Sequence, residues 1–500
     1  MTTMAEATKT PGAVTGVQLA QGIGVRQARG FWADAWAQVL RRPGAIAALI
    51  WLGIIAFFAV FAPFVANGHP LILRELGAQG ELLGRSSPLL KFLKASDVAL
   101  LLGTMLAVPA IILAGEKRRR GVVGAVVFGA VLAALVVVIS SAVQTQLTQR
   151  DPGRFVAWLR GHPGRRELVT FTLAGAALIA GLLVPAMPLP RRVLVSLIAC
   201  GIAALSVWVT WGKPLQVFDY IGREARGEIR ATYTLVPFSP SQRFPEADRQ
   251  APGTDLATAL GVPADSRPAR RTFILGTDAL GQDVLSQLLS ACRLSISIGL
   301  VSTGIAVLIG VTIGATMGYF GGWVDIILFR VVEIFMAVPL LFLLIVAAAV
   351  LPPELRTTYT MMMIIGCFTW TGAARFTRAE FLKLRSQDFV QSAKAVGLPL
   401  PSILFKHMLP NGVTPVLVDA SFTIAAAIAI EATLSYLGLG PVDQASWGKL
   451  LSSAMNPEGQ FKWWLAVFPG MAIFLTVLSY NMIGEALRDA IDPKLKKARV

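Results

Sequence analysis

Apolar residues in this chain come in long blocks, not in alternation, and several blocks hold roughly 20 residues with almost no charge. That is the length needed to cross ~30 Å of hydrocarbon as an α-helix. Strand-period alternation is absent, so a barrel is not expected. The blocks cover residues 45–66, 98–115, 122–143, 169–184 and 193–211, then 296–317, 326–351, 359–372, 413–437 and 463–483. Together they predict an all-α polytopic membrane protein of about ten transmembrane helices, with 359–372 short for a span.

Two polar stretches interrupt the blocks. Residues 212–285 mix Pro, Gly and charge and are too long for a turn, which predicts a small extracytoplasmic structure packed on the helix mouths. Residues 376–412 contain QSAKAVGLPLPSILFKHMLPN at 391–411. From residue 381 to 396, Leu382, Phe389, Ala393 and Val396 recur at helical spacing, predicting one helix with that face apolar. Gly397 suits the left-handed position that ends it. Pro399 and Pro401 forbid immediate resumption, Pro401 or Ser402 can start a second short helix, and Pro410 separates that from the next span. The product is a rigid elbow that could fit a cleft on a soluble partner; a solvated loop accounts for the pattern equally well.

Composition agrees with the blocks: 55% of residues are hydrophobic, 15% are charged, and the mean hydropathy is +0.64. The net charge of +16 would suggest nucleic acid in a soluble protein. In a membrane chain the same excess marks cytoplasmic loops, so no nucleic-acid partner is expected. Arg41 and Arg42, residues 117–120, Arg191 and Arg192, and Lys494, Lys496, Lys497 and Arg499 all fall inside if both termini are cytoplasmic. Arg375, Arg378, Lys383, Arg385, Lys394 and Lys406 place the elbow inside too. Residues 145–168 run against this scheme, since Arg150, Arg154, Arg160, Arg165 and Arg166 fall outside. The amphipathic FVAWL at 155–159 could lie at the interface there and carry these arginines to headgroups. Cys200, Cys292 and Cys367 are scattered in or beside apolar blocks and form no disulfide framework. His69, His162 and His407 are isolated and suggest no metal site. The first 40 residues lack the features of a cleaved signal, so the chain is expected to keep its N-terminus.

Four ordered motifs carry a family resemblance. QSAKAVG, then nine residues, then HMLP resembles the EAA loop by which ABC importer permeases dock on their ATP-binding subunits. FILGTDALGQDVLSQLLSACRLSISIGL at 273–300, GYFGGWVD at 318–325, and IEATLSYLGLG at 430–440 with Ser446 and Trp447 beyond it resemble the dipeptide, oligopeptide and nickel branch. That branch is the DppC/OppC-like, C-type permease with a MetI-like type I core. With RRPGAIAALIWLGIIAFFAVFAPFVA at 41–66, the resemblance covers residues 41–66 and about 230–495. By that resemblance Gln391, Ser392, Ala393, Gly397, His407, Leu409 and Pro410 couple the chain to an ATPase subunit. Gln391 and Ser392 depart from the family's Glu and Ala, Pro399 and Pro401 crowd the turn, and Gln282 stands where Arg is usual. The implied partners are a second permease subunit, two ATP-binding subunits, an extracytoplasmic substrate-binding protein and the lipid bilayer. TLVPFSPSQRF at 234–244 leans toward the oligopeptide and microcin-like members.

The resemblance leaves residues 98–211 as four extra helices, an even number that preserves the orientation of the helices after them. The expected organisation is a cytoplasmic segment 1–40, a first core helix 41–66 and an inserted four-helix segment with loops 67–211. An extracytoplasmic segment 212–285, a five-helix core 286–490 holding the coupling loop 376–412, and a cytoplasmic tail 491–500 complete it. Gly310, Gly314 and Gly318 lie four apart and allow close approach of helices, with a role in lining the pathway the rarer reading. Counted from residue 413, Glu431 lies ~27 Å along its helix, near the outer interface where a carboxylate reaches water. It and Trp447 are candidates for a structural or gating position. Arg330 and Glu333 are spaced to pair. No phosphate loop, HExxH or GxSxG occurs, so no cofactor is expected and ATP hydrolysis belongs to other subunits. The expected function is a permease subunit of an ATP-driven importer, of peptides by resemblance, in the bacterial inner membrane. A secondary transporter would instead need paired charges at the midplane, and a membrane-embedded hydrolase would need a convergent catalytic set.

Overall fold

The computed structural model describes residues 31–491 apart from 77–80, 115, 149–157, 159–163, 184–187, 211–219, 262–270, 443 and 456–458. The expected interfacial piece at 155–159 apart from Trp158, the arginines 150, 154 and 160, residues 1–30 and the tail beyond 491 lie outside the described residues.

A short helix α1 (Phe31–Val39) leads into α2 (Pro43–Val65). Pro43 fits there because the first turn has no N–H bond to lose. A hairpin, β1 (Ile72–Leu76) and β2 (Leu82–Ser86), comes next. It precedes four helices: α3 (Ala95–Leu113), α4 (Glu116–Thr148), α5 (Arg165–Leu183) and α6 (Leu189–Thr210). β3 (Ile229–Thr232) then pairs antiparallel with β1, giving the order β2-β1-β3. The chain on either side of the four helices is therefore stitched into one sheet, and the helices loop out between β2 and β3, the two strands that flank β1. Small residues let α4, α5 and α6 approach, with Val136, Val137, Ala177, Cys200 and Ala203 buried between them.

β4 (Thr254–Asp255) and β5 (Thr272–Phe273) form a second, two-stranded sheet. There Phe273 stacks on Phe238 at 4.5 Å, over Ala62 and Ala66 at the end of α2. The turn GTDALGQD closes this unit onto the next helix. Thr277 Oγ1 donates to Ala247 O at 2.5 Å, and Asp278 Oδ1 accepts from the Leu280 and Gln282 amides. Gly281 has φ +67, and a Cβ there would lie 1.8 Å from the Phe244 carbonyl oxygen. No other residue fits that position.

The central helix is α7 (Val284–Phe320), capped by Asp283, whose carboxylate accepts from the Ser286 amide at 2.7 Å. Residues 326–351, expected as one span, are two helices, α8 (Gly322–Ala337) and α9 (Leu340–Val350), meeting at 81°. Pro339 is the reason: it disfavours helical backbone at Val338, which is extended at φ −96, ψ 133. Then come α10 (Thr358–Phe368), α11 (Thr371–Leu384) and α12 (Asp388–Ala395). The turns Leu400–Ser402, Ile403–Met408 and Leu409–Gly412 run on to α13 (Thr414–Tyr436), and α14 (Trp447–Ser452) and α15 (Trp463–Ile491) complete the order. Among the described residues seven helices are long and apolar enough to cross a membrane, or eight if α8 and α9 form one span. The other two expected spans fall on shorter apolar helices, Glu167–Leu183 within α5 and Thr358–Phe368.

Candidate functional site

The elbow is two helices with a break that the periodicity did not show. α11 stops at Leu384 and α12 starts at Asp388, with Gln387 extended at φ −75, ψ 147. The break changes the helical phase. Phe381, Leu384, Val390, Ala393, Ile403 and Met408 form the buried cluster, while Phe389 and Val396, expected on that face, are 40% and 78% exposed. Gln391 Nε2 donates to the Arg385 carbonyl at 2.8 Å, satisfying one of the groups α11 leaves open at its end. A carboxylate in that position could only accept.

Gly397 has φ +78. Its amide donates to Lys394 O at 2.9 Å and the Leu398 amide to Ala393 O at 3.1 Å, the paired bonds of a Schellman turn. The chain then re-enters a helix at Leu400. Ile403–Met408 is π-helical, and its wider turns let the helix run through Pro410, which was expected to end it. The break falls instead at Val413, just before Pro415 in the first turn of α13. Leu409 turns toward the buried cluster and His407 is half-buried, while Gln391, Ser392 and Pro410 are exposed.

The seat of the elbow is the GYFGGWVD turn between α7 and α8. Arg378 forks onto Asp325, Nε to Oδ1 at 2.5 Å and Nη2 to Oδ2 at 2.7 Å, and lies 4.4 Å over the Phe329 ring. Lys394 Nζ sits 4.8 Å over the Tyr319 ring. Arg385 covers Gly321, where a Cβ would be 2.2 Å from its Nη1. Gly310, Gly314 and Gly318 line α7 against α11: a Cβ would fall 2.6 Å from Trp370 O, 2.4 Å from Ala374 O and 2.4 Å from Phe381 Cβ respectively. No single-residue signal in the sequence links Arg378 with Asp325, because the two are 53 positions apart.

At the far end of α13, Glu431 is not at water but buried at 1% exposure. Its Oε1 accepts from Ser435 Oγ at 2.6 Å and Ser446 Oγ at 2.7 Å. Ser446 also caps α14, and buried Trp447 donates from Nε1 to Leu288 O of α7 at 3.1 Å. The length count along α13 missed Ser446, which comes from beyond the helix to close over the carboxylate. Arg330 and Glu333 pair at 2.5 Å on an exposed face. An ion pair that no motif suggested joins Arg293 Nη1 of α7 to Asp97 Oδ1 of α3, with Arg293 Nε donating to the Ala59 carbonyl of α2 at 2.8 Å.

The family described as binding-protein-dependent transport system inner membrane component matches residues 310–497. The N-terminal TM domain of oligopeptide transport permease C matches residues 30–73. The oligopeptide transport system permease protein OppC of Bacillus subtilis is 38% identical over 244 residues, 49% of this chain and 78% of that protein. The chain belongs to the OppC/DppC type of ABC importer permease. The dipeptide transport system permease protein DppC of Alkalihalophilus pseudofirmus is 36% identical over 222 residues, 44% of this permease and 72% of its own length. The glutathione transport system permease protein GsiD of Pectobacterium atrosepticum is 36% identical over 223 residues, 44% and 73% of the two chains. The family match spans the elbow, its seat and Glu431, while α3 to α6 of the permease lie outside both matched ranges. It is a multi-pass inner membrane protein, the permease subunit of an ABC importer.

Proposed function

We propose that the permease imports peptides, forming the pathway with a second permease subunit and receiving substrate from an extracytoplasmic binding protein. Two ATP-binding subunits drive it through the coupling loop 376–412 and its elbow. The names of the relatives, oligopeptide, dipeptide and glutathione transport, support the substrate class. One observation carries the coupling role: Phe389, Val396 and Phe405 stand 40%, 78% and 57% exposed on a turn whose underside is packed and tied by Arg378 to α8. Apolar side chains held outward at a polar, cytoplasmic element mark a docking face. Closure of the ATPase pair would push this rigid unit, and α7, α8 and α13 would move with it because the elbow is anchored to each.

The test is Gly397→Val in the assembled, reconstituted complex. A β-branched residue adopts positive φ only at a cost of order 1 kcal/mol or more, so the elbow should re-aim while insertion is spared. Uptake is expected to fall at least about tenfold with the ATPase subunits still bound. Normal uptake by this variant would make the elbow an ordinary loop.

A further inference from the structure

A strongly charged patch on the four helices outside the matched family ranges has no part in the transport reading. α6 carries Arg191 and Arg192 in its first turn. A Cβ on Gly121 would lie 3.5 Å from Arg191 Nη1, so the starts of α4 and α6 adjoin. Arg192 Nη1 donates to Leu182 O at the end of α5, 2.7 Å away, which brings that helix end into the same patch. The Arg192 Nε is buried with no acceptor, and among the described residues neither arginine is in an ion pair.

The patch lies at the ends of helices apolar enough to span the bilayer, and therefore at headgroup depth. Orienting the helices requires positive charge at this end, but does not require the start of α4 to adjoin Arg191 while Arg192 reaches the end of α5 and keeps one guanidinium N–H without an acceptor. A guanidinium fork matches a phosphodiester, and basic pockets between membrane helices take anionic headgroups. We propose that the adjoining starts of α4 and α6 bind the phosphodiester headgroup of an anionic phospholipid, with Arg191 and Arg192 as its fork. The four helices then hold a bound lipid beside the permease core.

Native mass spectrometry of the full chain in detergent tests this, with tetraoleoyl cardiolipin as probe, dioleoyl phosphatidylcholine as control and inorganic phosphate as competitor. Cardiolipin is expected to be retained about tenfold over phosphatidylcholine, and Arg191→Gln with Arg192→Gln should reduce that retention about tenfold. Arg191→Lys with Arg192→Lys keeps the charge that orients the helices but not the planar fork, and should lose retention about threefold, less than the glutamine variant. Displacement by about 10 mM phosphate would make this a free-phosphate site and overturn the lipid assignment. So would equal retention of the two lipids, undiminished retention by the glutamine variant, or equal loss in the lysine and glutamine variants.

Discussion

Asp283 caps α7 from a buried position, and burial pushes its carboxyl up to about 6 from an ordinary 3.8, against the Ser286 hydrogen bonds that favour the charge; Asp278 nearby raises it further. A group with a raised folded pKa binds its proton more tightly in the folded chain. Its contribution is therefore full below about pH 4 and is lost as pH rises toward 6. The thermal midpoint in detergent should accordingly drop between pH 5 and 7 by more in the native chain than in Asp283→Asn. The variant keeps an N-cap acceptor without the charge and should gain at most about 3 kcal/mol at pH 7. Equal slopes in both proteins would show that the cap is not titrating. At this scale the sequence was legible where a residue's own backbone decides, as at Gly397, whose φ of +78 comes from the turn it must make. It was not legible at Glu431, whose burial depends on Ser446 arriving from another turn.

Among the elements, the packing of α7 on α11 is set by glycine. Gly314 has Ala374 O where a Cβ would stand, at 2.4 Å, while Gly304 on the same helix has open space. Gly314→Val should force the helices apart, cost about 1–3 kcal/mol and lower the yield of assembled complex; Gly304→Val should leave both near native. If both variants assemble alike, close approach of α7 and α11 is not what the glycines provide. Helix spacing of the three glycines was visible in the sequence, but their partner was not. The apolar period through 381–396 misled for a related reason: a turn at 385–387 resets the phase, and only the cluster around Phe381 and Val390 shows which face is in.

For the whole molecule the question is how α3 to α6 attach. Besides α3 packing on α2, the Arg293–Asp97 ion pair holds them, with side chains 21% and 8% exposed. Breaking one partner strands a charge, so Asp97→Asn and Arg293→Gln should each cost about 3 kcal/mol in thermal stability. The double variant should cost less than their sum by about 1–3 kcal/mol. Strict additivity would mean that the pair does not link the two parts.

By itself the sequence determined the helical membrane class, the polar elbow and the glycine that bends it. Span length and left-handed backbone are local demands that each stretch meets or fails alone. Tertiary structure alone decided the rest. β1 and β3 pair across the four intervening helices, Arg378 finds Asp325, Arg293 finds Asp97, and Phe389 and Val396 face out. Each of these joins residues far apart in the chain or chooses between two faces of a helix. Such choices depend on which surfaces the folded chain brings together, and no window along the sequence contains both sides.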